Sequence, residues 1–307
     1  MAESRRTGYP PRPGMATHAP SPSPRPSATP TPAAARSPSR GGATSQPTRR
    51  RVAHDAEAGG GIEVERKGAL VWNARGILTR GKIEYLRDYT KMNNPYIVAI
   101  VETHLNKDIE AAEIKIDNYE LFRADRKDRS HGGVVLYVRK DIPAVLTLSF
   151  SNSVCEALAV KVKVLDLMIA ILYRPPASGL KDFDEMIKTV KNVFEEDDTP
   201  NKLWAGDLNF PWLDWKLNDG RNEATLTSKA QDKIQSNILL DAMEEMYLSN
   251  YSREPTRAQN VLDLVMTNNP DMVIDLTVTA CAHLSDHNQL EFEMHHHYML
   301  PKMLKKE

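Results

Sequence analysis

Five short apolar runs in this 307-residue chain end in, or are broken by, a carboxylate, an amide or an imidazole. Asn73 follows Leu70-Val71-Trp72, and Glu102 follows residues 97–101 and opens Glu102-Thr103-His104. Asp207 and Asn209 follow Leu203-Trp204-Ala205 within Gly206-Asp207-Leu208-Asn209. Asp263 interrupts Leu262-Asp263-Leu264-Val265, and Ser285-Asp286-His287 precedes the last strand-like segment. A carboxylate or amide at the end of a buried strand is costly unless it meets a partner or a metal ion. One such residue alone reads as a turn or helix-cap residue. Five of them predict one shared polar site along a single edge of packed sheets.

The elements that must position these residues can be read from periodicity. Strand-like runs fall at 69–72, 96–101, 133–138, 157–162, 167–172, 203–205, 261–266 and 273–278. Two stretches space apolar residues three and four apart, as a helix buried on one face does. One carries Phe183, Ile187, Val190 and Phe194, the other Ile234, Ile238, Ala242 and Met246. Many strands with few helices between them predict an α+β fold of two packed, mainly antiparallel or mixed β-sheets flanked by helices. No internal repeat is visible.

The composition bounds what this fold can do. With 41% apolar and 26% charged residues the chain can fill a sizeable core. Nothing in it approaches a membrane span or a secretory signal. Two cysteines, Cys155 and Cys281, form no CxxC pair, which argues against a disulfide framework or zinc module and fits an intracellular setting. Residues 1–66 read as disordered: eleven of the twenty prolines lie in the first 50 positions, among Ser, Thr, Ala and Gly. Residues 1–51 hold nine arginines against Glu3, a charge of +8, so the remainder carries −9. The arginines read as a solvated linker or, less simply, as a tether for nucleic acid or a nuclear import signal. An acidic domain that handles phosphodiesters needs bound cations to offset its carboxylates.

Read in order, the polar clusters form a recognisable set. Trp72-Asn73-Ala74-Arg75-Gly76, Glu102-Thr103-His104, Tyr173-Arg174-Pro175-Pro176, Gly206-Asp207-Leu208-Asn209, Leu262-Asp263-Leu264 and Ser285-Asp286-His287 resemble the motifs of the endonuclease/exonuclease/phosphatase superfamily. The resemblance spans about residues 68–294. Within the superfamily, Asn-Ala-Arg-Gly, the strand from Gly132-Gly133-Val134 to Tyr137-Val138-Arg139, and Tyr-Arg-Pro-Pro are most similar to LINE-type (non-LTR) retrotransposon endonucleases. The inositol-phosphatase branch would show a Trp-Cys-Asp-Arg type motif where this chain has Pro255-Thr256-Arg257 and Leu262-Asp263-Leu264.

The resemblance implies a DNase I-like four-layer α/β sandwich at residues 67–295, a tail at 296–307, Mg²⁺ (or Mn²⁺) as cofactor and DNA as partner. It implies Glu102 as the principal metal ligand with Asn73 beside it, since hard cations prefer oxygen donors. Asp207 would align or deprotonate the attacking water. Asn209, two residues along an extended segment, would point the same way and donate to the phosphate. His287 would contact the scissile phosphate, paired with Asp263, which fixes its tautomer and favours its charged form. Asp286 binds a second metal or caps its loop. Tyr173 donates its hydroxyl to a phosphate oxygen or is an ordinary strand-end aromatic. Thr256 would contact DNA, and Trp212 and Trp215 would line the groove.

Other residues invite simpler readings. His104 and His131 read as surface residues, and His295-His296-His297 as a ragged end. The chain stops at Glu307, with no reverse transcriptase, so it reads as a fragment, a degenerate or domesticated copy, or an incomplete gene model. The expected activity is a single-strand nick in DNA, in the nucleus. The rivals are cleavage of abasic DNA or another phosphoester, and an inactive binding module.

Overall fold

Strands buried on both faces need apolar side chains at every position, and three of the runs above are of this kind. They are β2 (Ile97–Val101), β7 (Leu167–Tyr173) and the core of β8 (Asn201–Asp207). The computed structural model describes residues 65–127, 131–218, 221–227, 233–281 and 283–296, all within one compact unit. The predicted disordered segment, apart from its last two residues, and His297 with the tail beyond it lie outside the described residues.

In chain order the remaining elements are β1 (Glu65–Asn73), α1 (Lys82–Asn93), β3 (Tyr119–Ala124), β4 (Val134–Arg139), β5 (Ala144–Ser151) and β6 (Glu156–Val162). Then come α2 (Leu180–Glu195), β9 (Leu213–Asn218), β10 (Arg221–Leu226), α3 (Lys233–Glu245), β11 (Ser249–Asn250), β12 (Asp263–Thr267), β13 (Val273–Thr279) and β14 (Gln289–His296). They build two six-stranded sheets, ordered β13-β14-β1-β2-β4-β3 and β11-β12-β8-β7-β6-β5, plus the hairpin β9-β10. Each sheet has one parallel pair at its centre, β1 with β2 and β7 with β8, and its other pairs are antiparallel. The expected mixed-sheet α+β sandwich is what the chain forms.

Three apolar clusters give the layers. Val71, Ala99 and Leu136 of the first sheet meet Val160, Ile169 and Ala205 of the second between the sheets. Outside the first sheet, Trp72, Val98 and Ile100 pack with Ile83 and Leu86 of α1. Outside the second, Ala157, Met168 and Trp204 pack with Phe183, Val190 and Phe194 of α2 and Leu239 and Met243 of α3. Among the described residues no helix is long and apolar enough to cross a membrane. Cys155 and Cys281 are buried free thiols.

Helix α3 is where the sequence expected but its face is rotated. Ile234 is 62% exposed, while Gln235 and Ser236 are buried with Leu239, Ala242 and Met243. The reason is polar. Gln235 accepts from Arg174 Nε at 2.7 Å, and Ser236 Oγ accepts from Trp212 Nε1 at 2.8 Å. A buried guanidinium and a half-buried indole need acceptors, and α3 turns to supply them.

Candidate active site

The parallel pairs set the site. In both sheets their carboxyl ends point to the same edge, so Asn73 closing β1, Glu102 after β2, Tyr173 closing β7 and Asp207 closing β8 arrive together. The antiparallel β12 brings Asp263 opposite Asp207, and the turn before β14 brings Ser285, Asp286 and His287.

Backbone geometry places each group. Glu102 sits at φ +53, where the chain leaves β2 and turns. The turn is held as Thr103 N donates to Gly133 O (3.2 Å) and His104 N to Gly132 O (2.9 Å). Gly133 is required here: its φ is +87, and a Cβ would lie 2.6 Å from Thr103 Oγ1. Gly206, just before Asp207, has φ +134, and a Cβ there would fall inside the Leu172 carbonyl oxygen of β7. Lys82 of α1 is buried and donates from Nζ to the carbonyls of Ala74 and Arg75, the latter at 2.9 Å. Arg174, 1% exposed, donates to the carbonyls of Leu208 (3.1 Å) and Asn209 (3.0 Å) and lies over the Phe210 ring. It clamps the loop that follows Asp207.

Asn73 Nδ2 donates to Asp207 Oδ2 at 2.7 Å, and Arg75 N donates to Asn73 Oδ1 at 3.1 Å. Ser285 Oγ donates to Asn73 O at 2.8 Å and accepts from His287 N at 3.2 Å. The Asp263 carboxylate accepts from His287 Nδ1 at 2.8 Å, and His287 Nε2 lies 3.8 Å from Asp207 Oδ2. Asp207, Asp263 and His287 are each about 1% exposed or less.

The charges follow from this packing. Burial lowers the His287 imidazole, but the Asp263 and Asp207 carboxylates outweigh it and raise its pKa to about 9. Burial and the Asp263 charge push Asp207 up. Burial would also raise Glu102, yet hydrogen bonds from His104 and Asn73 hold it below the usual carboxylate range. Burial beside Glu102 and Asp207 pushes the Tyr173 hydroxyl up, so it stays a proton donor.

The donor sets for a cation can then be compared. Asp207, Asp263 and His287 offer ligand atoms within 4.8 Å of one another. A metal-bound imidazole must be neutral, and the two acids favour the charged form of His287, so this trio suits proton handling better than metal binding. Glu102, ionised, with its side chain 16% exposed and adjoining Asn73, fits a hard cation.

Asn209 corrects one expectation. It lies beyond the end of β8 at φ +52, so alternation along an extended strand does not aim it. Its N–H donates to Asp207 Oδ1 (3.0 Å) and its Nδ2 to Arg174 O (2.8 Å), leaving one amide hydrogen to spare. Thr256 is fully buried behind Asp263, and its Oγ1 accepts from the amides of Leu262 (3.0 Å) and Asp263 (3.1 Å). It anchors the start of β12 and, being fully buried, does not face a groove. Trp215 packs with Trp212 against the outer core of the second sheet, its indole nitrogen buried without a partner, so it is a hairpin anchor. Trp212 does border a cavity of about 260 Å³ shared with Asn209, Pro176, Arg257 and Leu262. His104 is not a plain surface residue: it is half-buried, with Nε2 3.5 Å from Glu102 Oε1 and its ring against His131.

Asp286 meets two guanidinium groups. Arg75 Nη1 (2.8 Å) and Arg257 Nη2 (2.7 Å) both reach its Oδ2. Arg75, Arg174 and Arg257 all lie inside the segments quoted above, yet their roles show only in the fold. A buried or converging arginine leaves no periodic trace.

A family model described as endonuclease-reverse transcriptase matches residues 167–291. Among solved structures, the endonuclease domain of TRAS1, a telomere-specific non-LTR retrotransposon, aligns with TM-score 0.53 and 16% identity, covering 75% of this chain and 98% of that one. An AP endonuclease from Archaeoglobus fulgidus aligns with TM-score 0.56 and 13% identity, covering 74% and 99%. The 3′ phosphatase NExo from Neisseria, bound to a product DNA hairpin, aligns with TM-score 0.51 and 14% identity, covering 74% and 99%. Comparison with curated protein sequences finds no match. The family model and the shared fold make the chain similar to proteins of the endonuclease/exonuclease/phosphatase superfamily. Within that class it resembles the endonucleases of LINE-type retrotransposons.

Proposed function

We propose that this chain is a Mg²⁺-dependent endonuclease that nicks one strand of DNA in the nucleus and descends from a LINE-type retroelement. One observation carries the reading: acids, amides, a phenol and a charged imidazole from six separate segments converge on one edge of the sandwich. Phosphodiester hydrolysis asks for that set, a water-orienting base and donors for the charge that develops on phosphorus-bound oxygen.

Glu102 and Asn73 would hold the cation, which when bound draws charge from the phosphoryl oxygens. Asp207, made more basic by its raised pKa, aligns the attacking water and in its carboxylate form takes its proton. Imidazolium His287, locked at Nδ1 by Asp263, directs its Nε2–H to the phosphate. The Tyr173 hydroxyl and the spare Asn209 hydrogen add donors. The cavity beside Asn209 favours a second reading, cleavage at abasic sites.

The test is supercoiled-plasmid nicking with Mg²⁺ or EDTA, run beside abasic duplexes and a phosphomonoester. Nicking of intact plasmid that vanishes in EDTA supports the first reading. Cleavage confined to the abasic duplex supports the second, and no turnover on any substrate leaves only an inactive binding module.

A further inference from the structure

The mouth of the site holds an arrangement that hydrolysis does not use. Arg75 and Arg257, 182 residues apart in sequence, converge on one oxygen of Asp286. Their side chains are 49% and 37% exposed, and that of Asp286 39%. Each guanidinium has five N–H donors and gives one to this oxygen, so most of its donors remain available. Two cations and one anion leave a surplus positive charge at the opening, above a floor made of Glu102, Asp207 and Asp263. Arg75 is close enough to Glu102 to interact with its charge. On the other side, Arg257 borders the cavity that holds Asn209 and Trp212. The pair thus brackets the entrance.

A divalent ion on Asp286 would sit within a few ångströms of two full positive charges, where like-charge repulsion costs several kcal/mol at protein-surface dielectric. The residues at Asp286 therefore do not fit a second cation, whereas Glu102 and Asn73 fit one. We propose that Arg75 and Arg257 form a two-guanidinium clamp for a DNA backbone phosphate next to the scissile one, with Asp286 as the internal anion that keeps the pair aligned. This rests on the DNA reading above. Planar guanidinium forks match phosphate oxygens, and two forks meeting at one carboxylate oxygen are already spaced for an anion. Incoming phosphate takes the donors that Asp286 does not use.

The experiment is fluorescence anisotropy of a labelled duplex binding the full chain in EDTA, titrated with NaCl. The parent is compared with R75Q, R257Q, the double variant and D286N, after thermal melts on each. Losing one of two guanidiniums on the same phosphate should flatten the slope of log affinity against log salt by part of about 0.9, and the double variant, which loses that phosphate contact outright, by about 0.9. Each single glutamine variant should bind about five- to tenfold more weakly at low salt. D286N, freed of its competing anion, should bind at least about threefold more tightly, and its nicking should need no more Mg²⁺ than the parent's. Parent slopes in R75Q and R257Q would overturn the clamp. So would a raised Mg²⁺ requirement in D286N without tighter metal-free binding, the behaviour of a lost metal ligand. Should a glutamine variant fail to fold, the matching lysine variant reads the same question: it keeps the slope and loses affinity because the fork is gone. A parent that binds no duplex at any salt removes the DNA reading itself. A parent that binds and nicks while its variants keep the parent slope removes only the clamp.

Discussion

Asp207 and Asp263 are register partners across the β8–β12 ladder, and both face a single imidazole, His287. Two carboxylates side by side in a buried sheet repel each other. The imidazolium between them turns that repulsion into a shared proton site, with Nδ1 at 2.8 Å from Asp263 and Nε2 at 3.8 Å from Asp207. D263N should keep the fold and lower the nicking rate at least about a hundredfold, the range for losing control of a general acid or base. D207N and H287A should each fall as far. Quantifying relaxed plasmid against time decides this, and parent-like rates in all three would discard the cluster's role.

The same cluster ties stability to pH. His287 is raised from 6.5 to about 9 on folding, so its stabilising contribution is full below 6.5 and disappears as pH climbs through 9. Asp207 is also raised, so its contribution too falls with rising pH. The metal-free protein should therefore melt at progressively lower temperature from pH 6.5 to 9, and H287A should show a shallower decline. Calorimetric scans across that window in EDTA test it, and a flat or rising parent curve contradicts it.

Glu102 tests the cation assignment. E102Q keeps the shape of the side chain and removes its charge, so it should raise the Mg²⁺ needed for half-maximal nicking and leave a low rate at saturation. N73A should shift that requirement less, since its amide carries no charge. Mg²⁺ titrations of both variants give the answer, and an E102Q curve that overlays the parent's moves the ion elsewhere.

Beneath the site, Glu156 and Arg126 form a buried ion pair, with side chains 0% and 7% exposed and Arg126 lying over the Tyr173 ring. E156Q would leave a buried guanidinium uncompensated, a loss of about 3–5 kcal/mol. Urea denaturation should show it as a lower midpoint with an unchanged slope. G206A should be comparably harmful, because its Cβ meets the backbone of β7 and no rotamer relieves it.

Much of this site was legible because strands buried on both faces read as unbroken apolar runs, so the first polar residue after each one stands out. Asn73, Glu102 and Asp207 were found in that way. Thr256 was misjudged because a hydroxyl that ties backbone amides and one that faces DNA look alike in sequence. Trp215 was misjudged because β9 is short and pairs only with β10, so its inward face has no pattern of its own. Strands β3 and β5 escaped notice because, as edge strands, they carry polar and exposed positions, with Val145 and Leu146 nearly half exposed. Helix α1 sets Ile83, Tyr85, Leu86 and Tyr89 against the sheet, among charged neighbours that blur the pattern.

Strand β1 lies between β2 and β14, with Glu65 opposite His296 and Val71 opposite Leu290. The first strand of the fold therefore waits for the last. During synthesis the sheet that carries Asn73 and Glu102 cannot close until residue 296 has left the ribosome, and pairing across more than 200 residues makes closure slow. Until then the β14-side edge of β1 stays unpaired and exposed to aggregation or to chaperones. A chain shortened within β14 would lose more than a final strand: it would leave β1 with an open edge and Asn73 without a fixed position. Damage at the far end of this fold is thereby as disabling as damage at the site itself.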